Sequence, residues 1–240
     1  MKTLAQINDL LAGFEKLYKY NIGGAQQQSE AWFIAKLGVL SASNASKIVA
    51  KKDSETRNTY MCELVAQICT GQHKEIFGAA LDWGNQNESA ARAYYEMITR
   101  FKLTPVPFIF KDNTYREGCS PDAFVTDNRG CEIKCPYDST NFIKFLVADS
   151  IKPEWRWQMQ FTLRVTEADK WDFCEYDPRN NFKQLHKHEE VRDEKMQATL
   201  ADAVPQFIAD MDKMLAQIGV KFGDQWSRLA GLPPAAGTTI

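Results

Sequence analysis

The 240-residue sequence predicts a mixed α/β (α+β) fold in which helices flank a central sheet, and three observations point to it. Apolar residues recur at helical spacing near both ends of the chain. Between about Val106 and Tyr176 the pattern shortens into brief runs of β-branched and aromatic residues bounded by turn formers. One of those runs, Cys131-Glu132-Ile133-Lys134-Cys135, alternates strictly, as a strand with two different faces must.

Taken in order, Leu4, Ile7, Leu10, Leu11, Phe14 and Leu17 lie at helical spacing from about Thr3 to Tyr20, with the Gly23-Gly24 pair expected to end that helix. Leu37 to Leu40 runs into Ser41-Ala42-Ser43, where either serine could cap a helix continuing through Ile48 and so form an anion cradle. Helices are predicted over Tyr60–Cys69 and Asn87–Ile98, the second opened by the Gly84-Asn85 break. Strands follow at Val106–Phe110, Ala123–Val125, Cys131–Lys134 and Trp171–Tyr176, with a helix from Pro153 to Val165 between the last two. A helical finish is expected from about Glu189 to Ile218, broken near Pro205. One domain is expected over residues 1–230, with a loose tail over 231–240.

With 44% hydrophobic and 25% charged residues the chain can bury a sizeable core, which excludes widespread disorder. No run reaches the roughly 18 to 20 apolar residues that a membrane helix needs, and the charged N-terminus does not read as a signal peptide. Six cysteines without secretory features imply reduced thiols and a cytoplasmic setting. Their spacings match no zinc module, and Cys131 and Cys135 lie in a strand rather than a tight knuckle. The His186-x-His188 pair reads as a solvated edge. A net charge of −2 means that any nucleic-acid surface must be local.

The chemistry concentrates in one hairpin. Glu132 and Lys134 share a strand face, leaving Cys131, Ile133 and Cys135 for the other. If residues 126–130 form the loop, Val125 pairs with Cys131 and Asp122 with Lys134, which brings Asp122 onto the same face; a loop one residue longer or shorter would not. A salt-bridged pair is the structural alternative. Two carboxylates converging beside a lysine raise each other's pKa unless a cation holds them ionised. Oxygen donors without a His/Cys cluster point to Mg²⁺ or Mn²⁺, which suits phosphodiester hydrolysis. Glu88, on the helical face of Ala91 and Tyr95, is either a third inward carboxylate or an acid favoured at a helix start.

Together with Trp32, Leu37-Gly38-Val39, Ser41-Ala42-Ser43 and Ala80-Leu81-Asp82-Trp83-Gly84, these residues resemble the phage lambda exonuclease family. These are YqaJ-like viral recombinases or alkaline exonucleases of phage and prophage, a branch of the PD-(D/E)xK nucleases. The likeness continues through Cys119-Ser120-Pro121-Asp122, Glu132-Ile133-Lys134-Cys135-Pro136, Tyr176-Asp177-Pro178-Arg179, Arg192-Asp193-Glu194-Lys195 and Phe222-Gly223-Asp224-Gln225-Trp226. It implies a restriction-endonuclease-like core with a central mixed β-sheet. It also implies a Mg²⁺-dependent exonuclease, Mn²⁺ substituting, that degrades the 5′-ended strand of duplex DNA and leaves a 3′ single strand for an annealing protein.

On that resemblance Asp122, Glu132, Glu88 and the Ile133 carbonyl hold metal, and Lys134 assists the attacking water. The chain would form a ring-shaped homotrimer in the cytoplasm of a bacterial host. A 5′-phosphate pocket would comprise Ser43, Ser120 and Gln158, with Lys36 where the family has arginine. Lysine brings a point charge in place of a planar fork, so a weaker preference for phosphorylated ends is expected. Trp32 near that pocket, Trp155 beside the scissile phosphate and Leu81 as a wedge between end bases are either functional or core. Two rivals are a restriction-type or junction-resolving endonuclease on the same core and a catalytically silent end-binding scaffold. The intact acids and lysine argue against the scaffold.

Overall fold

The computed structural model describes residues 1–73, 78–125 and 129–232. Helix α1 (Leu4–Tyr18) opens on Thr3, whose hydroxyl accepts the Gln6 N–H while the Gln6 side chain accepts the Thr3 N–H. It stops before the glycine pair, at Lys19 in the left-handed region (φ 54°). Helix α2 (Glu30–Ala35) is capped by Ser29. The helix expected from Ser41 or Ser43 through Ile48 is instead β1 (Leu40–Ser41), one 3₁₀ turn (Ala42–Asn44) and α3 (Ala45–Ile48). Leu40 and Ser41 pair with β4 (Glu117–Cys119), so this backbone joins a sheet rather than a helix. The Ser41 hydroxyl lies 3.2 Å from that of Ser43, and the Asn44 amide donates to it.

Helix α4 (Glu55–Thr70) and helix α5 (Ala79–Thr99) follow. α5 runs unbroken through Gly84 and Asn85, so Asn87 does not open it, and the first-turn acid is Asp82. Glu88 therefore stands in the third turn, too far in for the helix-start explanation.

Two sheets form the centre. The smaller has the order β1-β4-β3, with β3 at Ile109–Phe110. The larger contains β2 (Leu103–Thr104), β5 (Ala123–Val125), β6 (Arg129–Lys134), β7 (Lys170–Tyr176) and β8 (Leu185–Val191), in that order. It is mixed: β6 and β7 run parallel, connected through α6 (Ser139–Ala148) and α7 (Pro153–Thr166), and the other pairs are antiparallel. Gly130 lies under Trp171, whose ring would come within 2.0 Å of a Cβ at that position.

The helical finish expected from about Glu189 divides into the end of the charge-rich strand β8 and helix α8 (Glu194–Gln217), and a further helix, α9 (Asp224–Leu229), follows it. Pro205 lies inside α8 without ending it. Buried Leu200, Val204, Phe207 and Met211 anchor the helix on both sides, and that packing outweighs the lost backbone bond.

The five-stranded sheet separates two apolar clusters. Phe124, Trp171 and Phe173 join the large core on one face, whereas Ala123, Cys131, Ile133 and Cys174 meet Ala91 and Tyr95 of α5 on the other. No helix among the described residues is long and apolar enough to cross a membrane.

Candidate active site

The hairpin register differs from expectation in a way that preserves its consequence. Ala123 pairs with Cys131, Phe124 with Gly130 and Val125 with Arg129, so only residues 126–128 intervene and Val125 does not face Cys131. One step further along this register sets Asp122 opposite Glu132 rather than Lys134. The slip is two residues, and side chains alternate with a period of two, so Asp122, Glu132 and Lys134 still share a face. That face belongs to the large core, at the end of the sheet where the core opens.

Each carboxylate has a protein donor. The Ile133 N–H donates to Asp122 Oδ2 at 2.5 Å. Glu132 Oε1 accepts from Lys134 Nζ at 2.6 Å and from Gln158 Nε2 of α7 at 2.7 Å. Glu88 pairs with Arg92 one turn along α5, the partner that an inward acid requires. Burial first, and then the charge of Glu132, push the Asp122 carboxyl up to about 8, against the opposing effects of Lys134 and the Ile133 amide. Burial alone would lower Lys134, but Glu132 and Asp122 outweigh it and hold the ammonium above its ordinary range.

These groups open into a cavity of about 590 Å³. All twelve residues singled out from the sequence line it: the hairpin set and Glu88, the phosphate-pocket set Lys36, Ser43, Ser120 and Gln158, and Trp32, Trp155 and Leu81. Trp32 donates its indole N–H to Ser120 Oγ at 2.6 Å, and Lys36 Nζ lies 3.5 Å from the centre of the Trp32 ring. Burial pulls the Lys36 amine down to about 8, and no carboxylate of a described residue pairs with it. A desolvated cation beside hydroxyls is a place for an anion. Trp155 stacks on Phe173 of β7, with ring centres 5.2 Å apart, and Leu81 stays largely exposed.

As the side chains are placed, no three His, Cys, Asp or Glu side chains of the described residues converge into a ready cage for a metal. The donor set still fits a hard divalent ion. Mg²⁺ characteristically takes one or two protein carboxylates and fills its remaining positions with water and substrate phosphate. The raised Asp122 carboxyl, crowded by Glu132, is the kind of conflict that a bound cation relieves.

The YqaJ-like viral recombinase domain model matches residues 31–169, which span every one of these site residues. The chain belongs to that family. An alkaline exonuclease, LHK-Exo from Laribacter hongkongensis, is 32% identical with a TM-score of 0.72, over 79% of this chain and 95% of that one. The same enzyme in complex with dAMP matches at a TM-score of 0.73, with equal identity and coverage. ExoD of Escherichia coli is 42% identical over 78 residues, which is 32% of this chain and 90% of that protein. In this YqaJ-like domain three features went unread in the sequence. Arg92 holds Glu88, Gln158 holds Glu132, and Lys152 stands over Trp155 at the cavity wall. Spacing alone offered a signal only for Arg92, four residues after Glu88 on one helix.

Proposed function

We propose that this YqaJ-like domain is a Mg²⁺-dependent 5′-to-3′ exonuclease that acts on the ends of linear double-stranded DNA, with Mn²⁺ able to substitute. It would leave a 3′ single strand for a strand-annealing protein, work as a homotrimeric ring, and act in the cytoplasm of a bacterium carrying the phage or prophage. Family membership and likeness to an alkaline exonuclease support DNA cleavage. The observation that carries the reading is the joining, in one cavity, of the Asp122–Glu132–Lys134 face to Ser43, Ser120 and a Lys36 that no carboxylate of a described residue pairs. An end-directed enzyme needs such an anion site next to its cutting groups, and the mononucleotide dAMP bound by LHK-Exo has the form of an exonuclease product.

Asp122, Glu132, Glu88 and the Ile133 carbonyl would hold the metal, which supplies Lewis-acid polarisation of the phosphodiester and acidifies water. Lys134, kept cationic by Glu132 and Asp122, donates hydrogen bonds to the attacking oxygen or to the charge that develops on phosphorus. It does not serve as a proton acceptor at neutral pH. Gln158 fixes the Glu132 carboxylate from α7, so the acid meets substrate preoriented. Lys36 would meet the 5′-terminal phosphate, with Ser43 and Ser120 donating from their hydroxyls.

The rival within the same superfamily, a structure-specific or restriction-type endonuclease, would share the catalytic groups but have no use for a terminal phosphate. Digestion of linear duplex labelled at either 5′ or 3′ ends, with 5′-phosphate or 5′-hydroxyl termini, separates them. We expect loss from the 5′ end and faster digestion of phosphorylated ends, by a margin that Lys36→Arg widens and Lys36→Ala removes. Equal rates on both termini in the unsubstituted protein would refute the Lys36 assignment.

A further inference from the structure

The catalytic cavity has two walls that each present a lysine on a tryptophan. On one side Lys36 lies over Trp32, whose indole bonds Ser120 just before Asp122 and β5. On the other side Lys152 Nζ lies 4.4 Å from the centre of the Trp155 ring, and Trp155 stacks on Phe173 of β7. The strand order β5-β6-β7 therefore sets Asp122, Glu132 and Lys134 between the two pairs. Two strand spacings amount to about 10 Å, a span that holds consecutive groups of one DNA strand.

Three observations make the second wall a binding surface rather than packing. Lys152 is solvent-exposed, lines the cavity, and forms no ion pair within the described residues. It caps α7 without a side-chain bond, and with Pro153 lacking an N–H and the Arg156 N–H bonded to the Lys152 carbonyl, the Glu154 and Trp155 amides are the donors that the first turn offers. On the same sheet face as Phe173 the Glu175 carboxyl is buried without a hydrogen-bond partner among the described residues, and the charge of Lys152 reaches it. A lysine laid along an indole has lost part of its freedom before any ligand arrives.

We infer that Lys152, held on Trp155, is a substrate-binding residue that grips the backbone phosphate on the 3′ side of the bond being cut. It lies across the catalytic acids from the Lys36 wall. The inference rests on the nuclease reading above, and the Lys36 wall sets its polarity: with the 5′ end held there, the strand must leave past Trp155. Trp155, itself backed by Phe173, supplies the platform that holds Lys152 at the cavity wall, and Lys152 supplies the charge.

The test uses the full chain carrying Asp122→Ala, so that DNA is bound but not cut, with fluorescein-labelled 5′-phosphorylated linear duplex as the probe. Affinity is measured by anisotropy between 50 and 200 mM salt, with Lys152→Gln or Lys152→Arg added. A phosphate contact predicts that Lys152→Gln weakens binding about tenfold at low salt and flattens the slope of log affinity against log salt by about 0.9, while Lys152→Arg keeps the parent slope. A parent slope retained in Lys152→Gln overturns the inference and leaves the nuclease reading standing. Failure of the unsubstituted protein to digest linear duplex sinks both.

Discussion

Replacing Asp122 with Asn tests the electrostatic conflict at the centre of the site. The structure keeps the Asp122 proton until about pH 8, whereas an unfolded aspartate releases it near 3.8. Between those values the folded protein binds more protons than the unfolded chain, so metal-free stability falls as pH rises from about 4 to about 8 and is level above. Four pKa units correspond to about 6 kcal/mol. Asp122 is only half-buried, and relaxation and solvent take off about half, leaving about 3 kcal/mol.

Asparagine removes the charge but keeps an oxygen for the Ile133 N–H. For a chain of this size about 3 kcal/mol is a shift of roughly 6–12 °C in Tm. Melting of both proteins in EDTA at pH 5 and pH 8.5 should show the wild type losing about that much more than Asp122→Asn. Mg²⁺ or Mn²⁺ at pH 8.5 should restore the wild type and leave the variant unmoved. Parallel melting of the two proteins at both pH values would refute the reasoning.

Burial raises the Glu175 carboxyl to about 7, with Lys152 opposing, so it too withdraws stability as pH climbs from about 4.5 to about 7. Glu175→Gln should flatten that part of the Tm profile, and an unchanged slope would count against the burial argument. Gly130→Ala places a methyl within 2.0 Å of Trp171 and should destabilise by about 1–3 kcal/mol, read from denaturant midpoints at constant slope; a neutral result would mean the sheet yields there. Lys36→Ala should erase the difference in digestion rate between phosphorylated and hydroxyl 5′ ends, checked by a gel time course.

The catalytic hairpin was legible because alternation is a local property: Glu132 and Lys134 had to share a face wherever the strand lay. The loop length was misread by two, and the period of two hid the error at Asp122. Other features depended on partners far along the chain. Ser41 reads as a helix cap until Glu117 and Gly118 pair beside it, and Gly84 reads as a break although α5 passes through it. The β8 segment Leu185-His186-Lys187-His188-Glu189-Glu190-Val191 carries too much charge to announce a strand. It is an edge whose polar side chains reach acids beside it: Lys187 pairs with buried Asp172 of β7, and the His186 ring lies within hydrogen-bond distance of Asp149 at the end of α6. Gln158 as the fixer of Glu132 was invisible, since nothing at residue 158 reports an acid 26 positions earlier. The anion site was suggested by family resemblance; the structure adds the burial of Lys36 and its lack of a carboxylate partner among the described residues.

The account stands most directly on one digestion. Wild type and Asp122→Ala are each incubated with linear and covalently closed circular duplex in Mg²⁺, and then in EDTA. We expect the wild type to shorten only the linear DNA, to release mononucleotides, and to stop on chelation, with Asp122→Ala inert in every lane. Opening of the circle, or cleavage that survives loss of the Asp122 carboxylate, would contradict an end-directed nuclease built on this hairpin.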